Sequence, residues 1–230
     1  MAIDWATTGT AMAGWGALLG AGATAFGGVA VLIAAKRAAN TFDAWKRQKS
    51  EERRMNLAEQ ILTAAYKAKQ ILAAIRSPMT YGGERSAAKT KLLDTGMIHD
   101  GQEDGRSEAL TTAQIVFSRI LRHQNMWDHL TDLSPSSKAI FGNEISEKLE
   151  NIWKIQHNIS GAAVVYGNIR DTGRPLSEEE STLRRDLEQQ FWAIPTHDKP
   201  DEIADSVDSI IAALEDRLLP VIRAGTGTVA

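Results

Sequence analysis

From Ala58 onward the chain reads in helical periods. Ala58, Ile61, Ala65, Ala68, Leu72 and Ile75 are separated by alternating steps of three and four, which places them on one face of an α-helix. Ser77-Pro78 ends that helix. Gly82-Gly83 follows, with a short helix expected around residues 87–93. A second bundle helix is expected to start near Ser107 or Leu110, to carry Leu110, Ala113, Phe117, Ile120, Trp127 and Leu130 inward, and to stop before Ser134-Pro135. Pro135 suits the first turn of a third helix, with Ser134 as its cap. That helix has the clearest period: Ile145, Leu149, Ile152, Gln156, Ile159, Ala163 and Tyr166. Ser177 with Glu180 three residues on is a capping-box pattern opening a fourth helix, expected to bury Leu183, Leu187 and Phe191. A fifth begins near Pro200, repeats Ile203, Val207, Ile210, Leu214 and Leu218, and ends by Gly225, with Pro220 expected to kink or fray its last turn. No stretch alternates with a period of two, so no strand is expected.

The chain upstream has a different pattern. No charged residue lies between Asp4 and Lys36. Residues 13–35 (AGWGALLGAGATAFGGVAVLIAA) are long enough for a membrane-spanning helix, which needs roughly 20 apolar residues. A cleaved signal peptide would open with a basic stretch, whereas Asp4 is the only charge before the apolar run. Lys36, Arg37, Lys46, Arg47, Lys49, Arg53 and Arg54 follow the run, and no Lys or Arg precedes it. The positive-inside rule then puts the N-terminus outside and the long C-terminal part in the cytoplasm. The same basic cluster is expected at the anionic surface of the inner leaflet. Residues 46–54 (KRQKSEERR) are charged all round, as a solvated helical stalk is.

The expected architecture is therefore all-α: an N-terminal transmembrane helix continues into a stalk and an antiparallel bundle of four or five helices. Residues 1–12 form a short external N-terminus, 13–35 the transmembrane helix and 36–57 the basic juxtamembrane stalk. Residues 58–223 form the cytoplasmic bundle, with a mobile loop over 94–106, and 224–230 a flexible tail.

Composition sharpens this in two respects. The formal net charge of −3 is unevenly spread: −1 from Asp4, +4 over residues 36–54, and −6 for the remainder. The absence of cysteine excludes disulfides and thiolate metal sites.

Candidate chemistry is sparse. Gly16, Gly20, Thr24 and Gly28 recur every four residues, a stripe of small side chains that lets two membrane helices approach closely and points to self-association. Gly20, Gly22 and Ala25 match a dinucleotide-binding fingerprint, but inside an uncharged run with no preceding strand. None of the five histidines has the spacing of a helical zinc site. The loop around His99, Asp100, Glu103 and Asp104 reads as solvated and acidic, and no metal or cofactor is expected. Arg122 and His129 stand seven apart, two turns of one helix. That spacing resembles the R-x(4–6)-H motif of HEPN ribonucleases, which would give Arg122 a phosphate-binding role and His129 one in acid–base cleavage of RNA. The glutamates at 178–180 and the acidic residues at 198–202 lie at helix N-termini, where the dipole accounts for them.

Residues 41–54 (TFDAWKRQKSEERR), 58–62 (AEQIL) and 75–79 (IRSPM) together resemble a group of uncharacterised bacterial single-pass membrane proteins. The resemblance implies one N-terminal membrane helix, a helical C-terminal region and the bacterial inner membrane as location. It implies no activity and no catalytic residue. Together with the patterning it points to a membrane-anchored helical interaction or scaffold protein rather than an enzyme. The expected partners are the lipid bilayer, a second copy of the chain and an unidentified protein, and nucleic acid is not expected. The two alternatives are a HEPN-like membrane-tethered ribonuclease and a membrane-disrupting effector with the bundle as sensor.

Overall fold

The computed structural model describes residues 6–102, 104–169, 177–193 and 200–226, with side chains from residue 36 on, those of 39 and 226 excepted. The described residues form seven α-helices and no strand: α1 (Ala6–Ile75), α2 (Gly82–Asp94), α3 (Gly105–Arg122), α4 (Gln124–Phe141), α5 (Asn143–Asn168), α6 (Glu178–Phe191) and α7 (Glu202–Thr226). The chain divides into two compact units, Met1–Arg53 and Arg54–Ala230. The described backbone of the first is helical throughout. Among the described residues no helix is long and apolar enough to cross a membrane. The side chains of residues 13–35 lie outside them.

The second unit is a helical bundle built around α5, which packs against α3, α4, α6 and α7, while α2 packs on α3. The reason is the α5 period itself. Ile145, Leu149, Ile152, Ile159, Ala163 and Tyr166 are all buried. The part of α1 in this unit brings an inward face of mostly small residues: Ala58, Ile61, Ala65 and Ala68 are fully buried, with Leu72 and Ile75 nearly so. The inward face of α7 adds Val207, Ile210, Leu214 and Leu218 to the same core. Each position was expected from spacing alone, because a three-four apolar period has one stable destination, the inside.

The helix boundaries depart from the sequence expectation in the middle of the chain. One helix was expected from about residue 107 to 133 and another from Pro135; instead α3 stops at His123, and α4 runs through Pro135 to Phe141. The break at His123 leaves the apolar phase intact, since Ile120 and Trp127, seven apart, are both buried. Spacing therefore could not reveal it. Pro135 deprives the Thr131 carbonyl of its i+4 donor. Both residues are exposed, so water can substitute and α4 continues. The turn comes at Gly142, with φ 89° and ψ −178°, a backbone conformation open almost only to glycine. Gly82-Gly83 form the first turn of α2 rather than a loop before it. Helix α7 likewise continues to Thr226, six residues past Pro220.

Leu183, expected inside, is 49% exposed. Its neighbour Arg184 takes the inward place, its guanidinium 5.1 Å from the centre of the Tyr166 ring. The expected capping box at Ser177 and Glu180 is present with both hydrogen bonds. The segment between α2 and α3, expected as a solvated loop, is pinned by Ile98, which is buried with Leu92 and Leu110. Gly96 (φ 68°) and Gly101 (φ 75°) supply its turns.

Two buried arginines organise one end of the bundle. Arg76 follows the last residue of α1 and is 4% exposed. Its Nη1 donates to both carboxylate oxygens of Asp201 at 2.8 Å. Its Nε donates to the Gln190 carbonyl at 3.0 Å, and its Nη2 to the carbonyls of Gln189 at 3.0 Å and Trp192 at 3.5 Å. The Arg76 carbonyl accepts from the Ala193 N–H at 2.7 Å. These contacts cap the C-terminus of α6, where carbonyls lack intrahelical partners. Asp201 in turn accepts from the Ala204 N–H at 3.1 Å and caps α7.

Arg119 of α3, 6% exposed, does the same for the α1–α2 turn. It donates to the carbonyls of Ile75 (3.2 Å), Ser77 (2.6 Å) and Met79 (2.7 Å). It also donates to both oxygens of Glu84 in the first turn of α2, at 3.2 and 2.7 Å. Its guanidinium stands 5.5 Å from the Trp192 ring centre, so the two arginines meet at the end of α6.

Arg76→Ala leaves Asp201 without its cation and strands the α6 carbonyls. A loss of about 3–5 kcal/mol in urea unfolding is expected, with Arg76→Lys intermediate because a point charge cannot serve five acceptors. A Cβ built at Gly142 meets nothing within 4 Å. Gly142→Ala should therefore cost about 1–3 kcal/mol from backbone strain alone, read in the same urea series.

Candidate functional site

The structure places the residues singled out from sequence in three groups. Gly16, Gly20, Thr24 and Gly28 fall within α1, but their side chains lie outside the described residues. The basic cluster is where the helical pattern puts it: Lys36, Arg37, Lys46, Arg47, Lys49 and Arg53 are exposed along α1. Arg54 belongs to the second unit, with its guanidinium 5.9 Å from the Phe141 ring centre. Arg122 and His129, expected two turns apart on one helix, lie on α3 and α4 with the break at His123 between them. Both are exposed, and Arg122 approaches Glu84 at 3.7 Å.

In the His99 loop, Asp104 is committed to structure. Its Oδ1 accepts from the Ser107 N–H at 2.7 Å, capping α3, and its Oδ2 from Gln102 at 2.8 Å. These bonds, that of Gln102 foremost, hold its carboxyl below the usual range.

Among the described residues of the second unit, clefts open between neighbouring helices. One, of about 350 Å³ between α4 and α5, is lined by Leu130, Ser134, Pro135, Leu149, Glu150 and Trp153. Trp153 stacks on His157 with ring centres 5.2 Å apart. Another, of about 580 Å³ between α5 and α7, is lined mainly by Asn151, Lys154, Asn158, Asp205, Ser206 and Ser209. A catalytic site gathers titratable groups with shifted proton affinity in a cleft. Among the described residues the shifted groups lie elsewhere, each beside a structural partner. Glu84 is lowered by the Arg119 hydrogen bond, Glu144 by Arg217, and Tyr166 is raised by burial and then by Glu188.

Exposed aromatic and basic side chains lie together on α1. Phe42 and Trp45 are 60% and 57% exposed, large aromatic rings in water on a helix otherwise rich in charge. Their ring centres are 5.8 Å apart. Lys49 pairs with Glu52 at 2.9 Å. Sequence reasoning had placed the cations but passed over Phe42; the signal was its position three residues before Trp45, which puts both rings on one side of a helix. It also passed over Arg76 and Arg119, whose roles depend on which carbonyls the fold brings to them. Compared with protein families, curated proteins and solved structures, the chain finds no match.

Glu84 offers a pH test of the arginine end. Its ordinary value is 4.5 and the folded value lies below that, chiefly through Arg119. Its contribution to stability is thus complete above pH 4.5 and is lost as pH falls through the lower folded value. Glu84→Gln should lose about 1–3 kcal/mol at neutral pH and show a shallower acid decline than the parent, measured by urea unfolding at a series of pH values.

Proposed function

We propose that the protein is a membrane-anchored helical interaction protein, held in the bacterial inner membrane by residues 13–35 with its N-terminus outside and its bundle in the cytoplasm. The observation that carries this reading is the sequence of environments along α1. A run without charge from residue 5 to 35 is followed by a helical stretch from 36 to 53 whose described side chains are all exposed and whose cations outnumber its acids. A helix with no inward face has little reason to exist in water unless something holds its ends. An anchor at one end and a packed bundle at the other supply that.

The finer architecture belongs to the same proposal: a transmembrane helix passing into a stalk, and antiparallel packing of the bundle. So does self-association through the Gly16, Gly20, Thr24 and Gly28 stripe. The bundle serves as a binding surface. Its clefts hold mixed polar and apolar side chains, and its buried cations are saturated by their own fold.

Fractionation of the full-length chain, tagged at its C-terminus, tests the anchor. It should remain in the membrane pellet through an alkaline carbonate wash. Recovery in the wash would overturn the anchor and return residues 13–35 to the interior of a soluble fold.

A further inference from the structure

Phe42, Trp45, Lys46 and Lys49 follow steps of three, one and three, so they share one side of α1. All four are exposed. Of the acidic residues of this stretch, Glu51 lies on the far side of the helix, Asp43 flanks the stripe three residues before Lys46, and Glu52 lies beside Trp45 and pairs with Lys49 at 2.9 Å. One side of the helix thus combines two aromatic rings with two ammonium groups, that of Lys49 paired with Glu52. Solvation does not account for this, because Phe42 has no polar atom on its side chain to offer water. Aromatic rings beside lysines are the chemistry of the boundary between acyl chains and anionic headgroups.

The distance along the helix fits. Phe42 is seven residues beyond Ala35, about 10 Å at the helical rise. Side chains lean back toward the helix N-terminus by about one turn, which returns the Phe42 ring to roughly 5 Å beyond Ala35. The headgroup layer is roughly 5–8 Å deep on each side. Trp45 lies about one turn further out, and tilt of α1 toward the aromatic side brings its ring to the same layer. Membrane helices tilt by about 20° on average, in a direction set by such anchors. Lys46 then extends its ammonium group to phosphates with its alkyl stem along the rings, and Lys49 does so by exchanging Glu52 for a phosphate.

We infer that Phe42, Trp45, Lys46 and Lys49 form a lipid-contacting stripe that seats one side of α1 in the anionic headgroup layer and sets the direction in which the helix leaves the bilayer. This rests on the anchor proposed above and goes beyond it. An anchor alone leaves α1 free to rotate, whereas the stripe selects one side.

The test uses the full-length chain in nanodiscs carrying lipids brominated near the headgroup. The emission of Trp45 is the difference between the parent and Trp45→Phe. In discs with about one third phosphatidylglycerol it should be quenched by at least half, and in phosphatidylcholine discs by less than half that extent. Moving the indole to the other side, in Trp45→Phe combined with Arg47→Trp, should leave the new residue unquenched. If Trp45 is unquenched in both lipids, or residue 47 is quenched equally, the stripe is overturned although the chain stays in the disc. Equal quenching in both lipids overturns the anionic contact. Shielding of Trp45 by a second copy would appear as quenching by neither lipid together with protection from acrylamide that grows with protein per disc, and that also overturns it. A chain that fails to enter the disc overturns the anchor, and this inference with it.

Discussion

The second unit depends on the saturation of two buried arginines. A buried guanidinium costs several kcal/mol in lost hydration unless its five donors find acceptors. Arg76 finds its acceptors in two carboxylate oxygens and the last carbonyls of α6; Arg119 finds its own in the α1–α2 turn and Glu84. The carbonyls concerned come from helix ends and turns that α-helical bonding leaves unsatisfied. Each arginine therefore offsets two liabilities, its own desolvation and the orphaned carbonyls. The geometry closes only if the ends of α1 and α6 and the starts of α2 and α7 arrive together. Apolar faces bring helices side by side without fixing their register along the axis. A network of directed hydrogen bonds at one end fixes it.

That division explains which parts of the fold were legible in the sequence. Ala58, Ile61, Ala65, Leu149, Ile152, Leu214 and Leu218 are inside because of their spacing and chemistry, both of which are local properties. The capping box at Ser177 is local too. The helix break at His123 was not legible, because the apolar phase runs through it unchanged. The sequence expectation put the boundary at Ser134-Pro135, whereas the turn comes at Gly142. Proline stops a helix by removing one donor and crowding one turn. On the exposed side of α4 those costs are small enough for the helix to pass through.

The inward role of Arg184 in place of Leu183 has a similar origin. Burial is decided by what the neighbour offers, and Tyr166 offers a ring face and a hydroxyl that accepts from Arg184 at 3.1 Å. The same hydroxyl donates to Glu188 at 2.7 Å, so leucine would leave a partner unserved. Arg76 stands in the sequence as an ordinary basic residue near a helix end. Its acceptors are more than 110 residues away along the chain, and no periodicity reports a contact of that kind.

The chain uses cations in two opposite ways, and the contrast bears on function. Arg76 and Arg119 are enclosed, with each donor directed at an oxygen of the fold, so no ligand can recruit them without dismantling the bundle. The cations of α1 from Lys36 to Arg53 are exposed along the stretch of that helix whose described side chains build no core. Salt-bridge stabilisation explains little of them, since exposed pairs such as Lys49–Glu52 contribute at most about 1 kcal/mol. A run of cations next to an uncharged segment, with Phe42 and Trp45 facing out among them, fits a surface that supplies negative charge and an apolar boundary together. A nucleic acid offers the first with stacked bases, and a protein offers either in patches. An anionic bilayer would present both continuously, at the depth set by the anchor proposed above.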